Sequence, residues 1–97
     1  MLDKMKQLME MKKQADQLKR ELDAESVEVN EVRGIKIVIN GAQSFQTLEI
    51  DPALLKPENK ASFESDLLRS LNASIKKSQN IAAQKMKAMT GFNIPGL

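Results

Sequence analysis

The sequence predicts an α+β protomer with the element order α-β-β-β-α. Three observations carry the prediction: a heptad-spaced apolar row over residues 2–23, a central stretch of period-two alternation, and a second helical pattern after Pro57. Helices and strands repeat their side-chain directions at about 3.6 and 2 residues, so a change of period marks a change of element.

In the first helix Met1, Leu8, Ala15 and Leu22 fall seven apart, with Met11 and Leu18 at the alternate positions. No Gly or Pro interrupts this row, which is the seam of an interacting helix. From Ser26 the period becomes two: Val27 and Val29 alternate with Glu28 and Asn30. Ile35, Ile37 and Ile39 alternate with Lys36, Val38 and Asn40, and Leu48 and Ile50 with Thr47 and Glu49. These are three strands rich in β-branched residues. Gly34 lies in the first connection and Asn40-Gly41 signals a turn in the second, so an antiparallel meander is the simplest arrangement. Asp51 is placed to cap a short helical turn over Pro52–Leu55. The second long helix opens at Pro57 or just beyond and runs to about Thr90, where Gly91 is the expected stop. Its apolar stripe is Leu68, Leu71, Ile75, Ala82, Met86 and Met89. The tail GFNIPGL is expected to be non-helical, and the pattern reads as a single domain over residues 1–97.

Dimensions add a second expectation. The helices would be about 33 and 45 Å long, whereas a six-residue strand covers only about 20 Å. Their apolar stripes therefore overhang the sheet, where they must pack on each other or on another chain. A homodimer satisfies that requirement, and a second copy can also cover a sheet edge.

Composition removes most catalytic chemistry. The 97 residues include neither cysteine nor histidine, so disulfides, thiol nucleophiles, thiolate metal sites and the commonest metal ligand are absent. Glu49 and Asp51 stand two apart, and capping accounts for Asp51 more simply than metal binding or catalysis. No P-loop, Rossmann glycine pattern or nucleophile elbow occurs. We expect no catalytic residue, no metal, no cofactor and no small-molecule substrate. No apolar run approaches the roughly 20 residues of a membrane span. Charges from Asp3 onward argue against a signal peptide, and the expected location is cytoplasmic.

The net charge of +2 conceals segregation. Residues 1–22 hold six basic and four acidic side chains, residues 23–66 four and nine, and residues 67–97 five and none. At about 100° per residue, Arg69, Lys76 and Lys87 share one line of the second helix, with Asn80 near it and Lys77 on the side away from the apolar stripe. Lys85 flanks that stripe. In the first helix Lys6, Lys13 and Arg20 share a line, partly compensated by Asp3, Glu10 and Glu21. Such rows are either solvated flanks whose stems cover apolar neighbours or a phosphate-contact surface. Three Phe and no Trp or Tyr disfavour base stacking on single strands. Lysine far outnumbers arginine, which disfavours bidentate base readout. If nucleic acid is the partner, a duplex held mainly through phosphates with modest sequence preference is expected.

Two segments resemble a known family. Val38-Ile39-Asn40-Gly41, followed by Leu48-Glu49-Ile50-Asp51-Pro52-Ala53-Leu54-Leu55, is similar to the VNG…VEIDPxLL pattern of the YbaB/EbfC family of bacterial nucleoid-associated proteins. The ending from Met86 to Leu97 resembles that family's M…TGG…LPGL tail. The resemblance covers essentially the whole chain. It implies an α-β-β-β-α protomer that dimerises through its sheet and projects its helices as arms. It also implies DNA binding by those arms, a nucleoid location, and roles in nucleoid organisation and gene regulation, without enzymatic activity. Lys6, Lys13, Arg20, Arg69, Lys76, Lys77 and Lys87 are then the candidate DNA contacts. Two departures stand out: Asn30-Glu31-Val32-Arg33-Gly34 replaces a glycine-rich first connection, and Asn72-Ala73-Ser74 stands where the family has Asn-Asp-Ala. The alternative function is a protein-interaction module whose arms or tail grip a partner protein.

Overall fold

The central segment folds into an antiparallel meander with a long helix on either side of it in sequence. The structure, a computed structural model, describes residues 2–90. Met1, the expected stop at Gly91 and the tail to Leu97 lie outside the described residues. The elements are α1 (Leu2–Ala24), β1 (Ser26–Val32), β2 (Ile35–Asn40), β3 (Phe45–Ile50) and α2 (Lys60–Thr90). Two 3-10 turns, Pro52–Leu54 and Pro57–Asn59, join β3 to α2. The Asp51 carboxylate accepts from the Ala53 amide at 2.9 Å, the expected cap.

The sheet order is β1-β2-β3, which leaves β2 in the centre. Val27 and Val29 pair with Ile39 and Ile37, and Leu48 and Ile50 pair with Ile37 and Ile35. Paired residues point to the same face, so all of these share the inner face. There Val29, Ile35, Ile37 and Ile39 are the buried apolar core, covered by Phe63, Leu67 and Leu71 of α2. Outward, Lys36 bridges Glu28 on β1 and Glu49 on β3 at 3.4 and 3.5 Å. The register shifts between Val29 and Val32, where β1 inserts a residue, and between Val38 and Ile39 opposite β3. The first connection is a tight turn closed by Gly34 at φ +94°, a backbone conformation that costs glycine little and other residues more.

The sheet-facing side of α2 matches the expected stripe in part: Leu71 and Ile75 pack against the core, but the most buried line is another. Ser70, Ser74 and Ser78, spaced by four, are fully buried against the sheet, whereas Leu68 is 61% exposed. Ser70 and Ser74 donate back to the Asp66 and Ser70 carbonyls, each at 2.8 Å. Their hydroxyls are thereby satisfied within the helix, and small side chains let the helix backbone lie close to the β-branched sheet. Helical geometry sets this serine line about a quarter-turn from the apolar stripe through Leu68, Ile75 and Met86. Since α2 lies across β1 and β2, the inner face of β3 is left open, and Phe45 and Leu48 are about half exposed.

One corner ties the elements together. The Asn40 carboxamide accepts from the Ala42 and Ser44 amides and donates to the Asp23 carbonyl at the end of α1. The Ser78 hydroxyl donates to the Asn40 carbonyl and accepts from the Gln43 amide. The Gly41 amide reaches the Leu22 and Glu25 carbonyls, both at 2.9 Å. A Cβ on Gly41 would stand 3.0 Å from Leu22 Cδ2 and 3.1 Å from Ile81 Cγ2. Close approach is therefore what requires glycine at this position. The left-handed residue of the turn is Gln43, at φ +64°.

Only the last two turns of α1 are fixed in this way. Leu18, Glu21 and Leu22 are half-buried, while residues 2–17 are exposed. The radius of gyration is 18.5 Å, against about 12.5 Å for a compact chain of this length. The expected overhang is thus present, and its Leu8, Met9 and Met11 are bare in the protomer.

Candidate nucleic-acid interface

The outer side of α2 carries the basic row. Because the serine line fixes the rotation of the helix on the sheet, Arg69 and Lys76 point away from it. Lys77 falls between that row and the sheet rather than apart from both. Arg69, Lys76 and Lys77, together with Asn72 and Asn80, line an open recess of about 550 Å³, with Glu31 from the bulged end of β1 at its rim. Ala73 lies in the same recess.

Ion pairing divides the cations into two sets. Lys36, Lys60 and Lys85 are engaged, with Glu28 and Glu49, with Glu64, and with Glu25 respectively. The Lys85–Glu25 contact, 2.9 Å, straps α2 to the end of α1. It raises the Lys85 ammonium above the usual lysine range, chiefly through that hydrogen bond. Arg69, Lys76 and Lys77 form no ion pair among the described residues, nor do Lys6, Lys13 and Arg20. A cation without a protein counter-charge keeps a small-ion atmosphere that a polyanion can replace.

In α1, Lys6 and Lys13 flank a second recess, of about 440 Å³, with Met9 and Glu10 between them. Arg20 is exposed two turns further along and is not part of it. Lys87 lies in the last turn of α2 and is exposed. The structure thus gathers three of the seven candidate contacts on α2 and two on α1. Sequence reasoning missed Glu31 and Asn72. Glu31 is brought in by strand pairing from some forty residues away, and no local pattern encodes that approach.

The charged outer face of the sheet is a separate feature. The Glu28 carboxyl is held below the usual carboxylate range by the Asn30 side-chain hydrogen bond first and by Lys36 next. A lowered folded-state value means that the pairing stabilises the fold above the unfolded-state value and is lost as pH falls through the folded one. We expect Asn30→Ala and Lys36→Met each to raise the Glu28 midpoint in a carboxyl NMR titration. A midpoint unmoved by Asn30→Ala would assign the shift to Lys36 alone. Among the described residues no group of three His, Cys, Asp or Glu could hold a metal. No described helix is long and apolar enough to cross a membrane.

Comparison with known proteins converges on one family. Residues 1–92 match the YbaB/EbfC DNA-binding family. A nucleoid-associated protein of Pelotomaculum thermopropionicum is 35% identical over 95 residues, covering 96% of this chain and 90% of the relative. Another, of Clostridium kluyveri, is 32% identical over 96% of this chain and 83% of the relative. A third, of Syntrophobacter fumaroxidans, is 30% identical over 96% and 86% respectively. With its α-β-β-β-α order and a match that spans both helices and the sheet, the chain belongs to the YbaB/EbfC DNA-binding family.

Proposed function

We propose that the chain acts as a homodimeric nucleoid-associated protein that grips duplex DNA mainly through phosphates, with modest sequence specificity. Its location would then be the nucleoid, where it contributes to nucleoid organisation and gene regulation. The observation that carries this is the recess on α2, where Arg69, Lys76 and Lys77 converge without an ion pair among the described residues and outnumber its single acid, Glu31. Acidic partners neutralise other lysines of the chain but not these. The relatives' description as nucleoid-associated proteins supports the same function.

The dimer rests on the uncovered apolar surface. Phe45 and Leu48 of β3, with Ile37 and Leu71, line a recess of about 240 Å³. It adjoins the side of α2 that bears Leu68, Ile75 and Met86, about a quarter-turn from the Arg69–Lys76 row. Dimerisation there buries the apolar stripe and leaves the basic row facing outward. We expect Leu48→Glu to convert the dimer to a monomer in sedimentation at micromolar concentration, since a charge in an apolar interface lacks a partner. A dimer that persists would move the interface elsewhere.

Titration of a mixed-sequence duplex at two salt concentrations tests the function directly. The logarithm of affinity should fall against the logarithm of salt with a slope between about −5 and −8 per dimer. Binding that is indifferent to salt would defeat a phosphate-based mechanism. The bare Leu8, Met9 and Met11 on α1 favour a second function, that of a protein-interaction module. A stoichiometric protein partner, with no duplex binding at about 50 mM salt, would select it.

A further inference from the structure

We infer that Asn72 and Asn80 are base-reading side chains, selecting adenine in a duplex whose backbone Arg69, Lys76 and Lys77 hold. The inference rests on the duplex-binding function proposed above and assigns to it a source of sequence preference. Its starting point is the makeup of the α2 recess, in which two carboxamides are interleaved with three cations.

The asparagines of this chain are not alike. Asn40 spends its carboxamide on the Ala42 and Ser44 amides and the Asp23 carbonyl, and Asn30 donates to Glu28. Asn72 and Asn80 are exposed, and neither carboxamide has a hydrogen-bond partner among the described residues. Asparagine is also a poor choice for an exposed helix interior, costing about half a kcal/mol relative to alanine. A local rule broken twice on one face, with no compensating contact, points to a ligand that uses those groups.

The geometry fits a base edge. A carboxamide donates and accepts in the pattern that matches N7 and N6 of adenine in the major groove. Eight residues separate Asn72 from Asn80, about 12 Å along the axis. That span corresponds to between three and four base pairs at about 3.4 Å each. An α-helix is about 10–12 Å across and the major groove about 12 Å wide. Around the helix Lys76 and Arg69 fall between Asn72 and Asn80, so their longer stems splay outward to the flanking phosphates while the short carboxamides read the base edges. Glu31 at the rim repels phosphate, which steers the backbone onto the Arg69–Lys76 side and fixes the helix's approach.

The test is selection by the full chain from a pool of duplexes randomised over about eight base pairs. The best selected duplex is then competed against a scrambled duplex of equal composition. The unaltered protein should enrich adenine at two positions three or four base pairs apart and prefer the selected duplex by at least about tenfold. The double variant N72A/N80A should lose that preference. Its affinity for the scrambled duplex and its salt slope should change less than about twofold, because no charge is removed. Alanine favours the helix, so the variant's fold is secure, and its circular dichroism should match that of the parent. Absence of enriched adenine, or a preference that survives in the double variant, would overturn the assignment while leaving phosphate binding intact. Failure of the unaltered protein to bind any duplex at about 50 mM salt would overturn both.

Discussion

Replacing Arg69, Lys76 and Lys77 together with glutamine should lower affinity for a mixed-sequence duplex at about 50 mM salt by at least a thousandfold. Each protomer loses three charges. Each phosphate no longer neutralised removes about 0.9 from the salt slope, so a dimer's slope flattens by about 5. Counterion release is worth roughly tenfold per contact at low salt, which makes this the largest functional effect expected of any small set of substitutions. The fold should not suffer, because all three side chains are exposed and form no ion pair among the described residues. Surface changes of this kind stay within about 0.5 kcal/mol. The matching triple change of Lys6, Lys13 and Arg20 should cost less, because the α1 recess sets two cations against Glu10 whereas the α2 recess sets three against Glu31. If the α1 set produces the larger loss, the main contact surface is the projecting arm and not α2.

The difference between those two helices also shows what sequence alone discloses. The strands were legible because Ile35, Ile37 and Ile39 alternate with residues of another kind, and a period of two has one structural meaning. The Asp51 cap and the overhang of α1 were legible for similar reasons, one local and one a matter of length. The sheet-facing side of α2 was not. Ser70, Ser74 and Ser78 look polar on any hydropathy scale, yet Ser70 and Ser74 discharge their hydroxyls into the preceding turn and Ser78 into the Asn40 corner. The more apolar line was visible, and its Leu71 and Ile75 do pack on the core, but Leu68 and Met86 fall on the exposed side that a second copy would cover. Rotating the helix by that quarter-turn is what brings Lys77 toward Glu31. Asn40-Gly41 marked the right turn for an incomplete reason. The glycine answers to Leu22 and Ile81 pressing on it, contacts that depend on two helices remote in sequence.

Asn40→Ala should cost about 2–4 kcal/mol of stability, among the largest effects of any single polar substitution in the chain. The residue is 5% exposed, and its carboxamide satisfies the Ala42 and Ser44 amides and the Asp23 carbonyl. Truncation strands two amides in a half-buried turn, where an unmade hydrogen bond costs more than a made one contributes. Asn40→Asp keeps the two acceptor bonds but loses the donor and sets a carboxylate against the Asp23 carbonyl, so its cost should be intermediate at neutral pH. Urea unfolding at one fixed protein concentration measures both, since dimerisation couples stability to concentration. The corner also sets the direction in which α1 leaves the sheet. Folded Asn40→Ala protein should therefore bind duplex more weakly although no cation has been touched. The double variant Asn40→Ala/Ser78→Ala should lose less than the sum of the single changes, because Ser78 bonds the Asn40 carbonyl and the Gln43 amide of the same turn and neighbours in one network are not additive. A loss below about 1 kcal/mol for Asn40→Ala would mean that water can replace the carboxamide, and that packing of Leu22 and Ile81 around Gly41 holds the arm by itself.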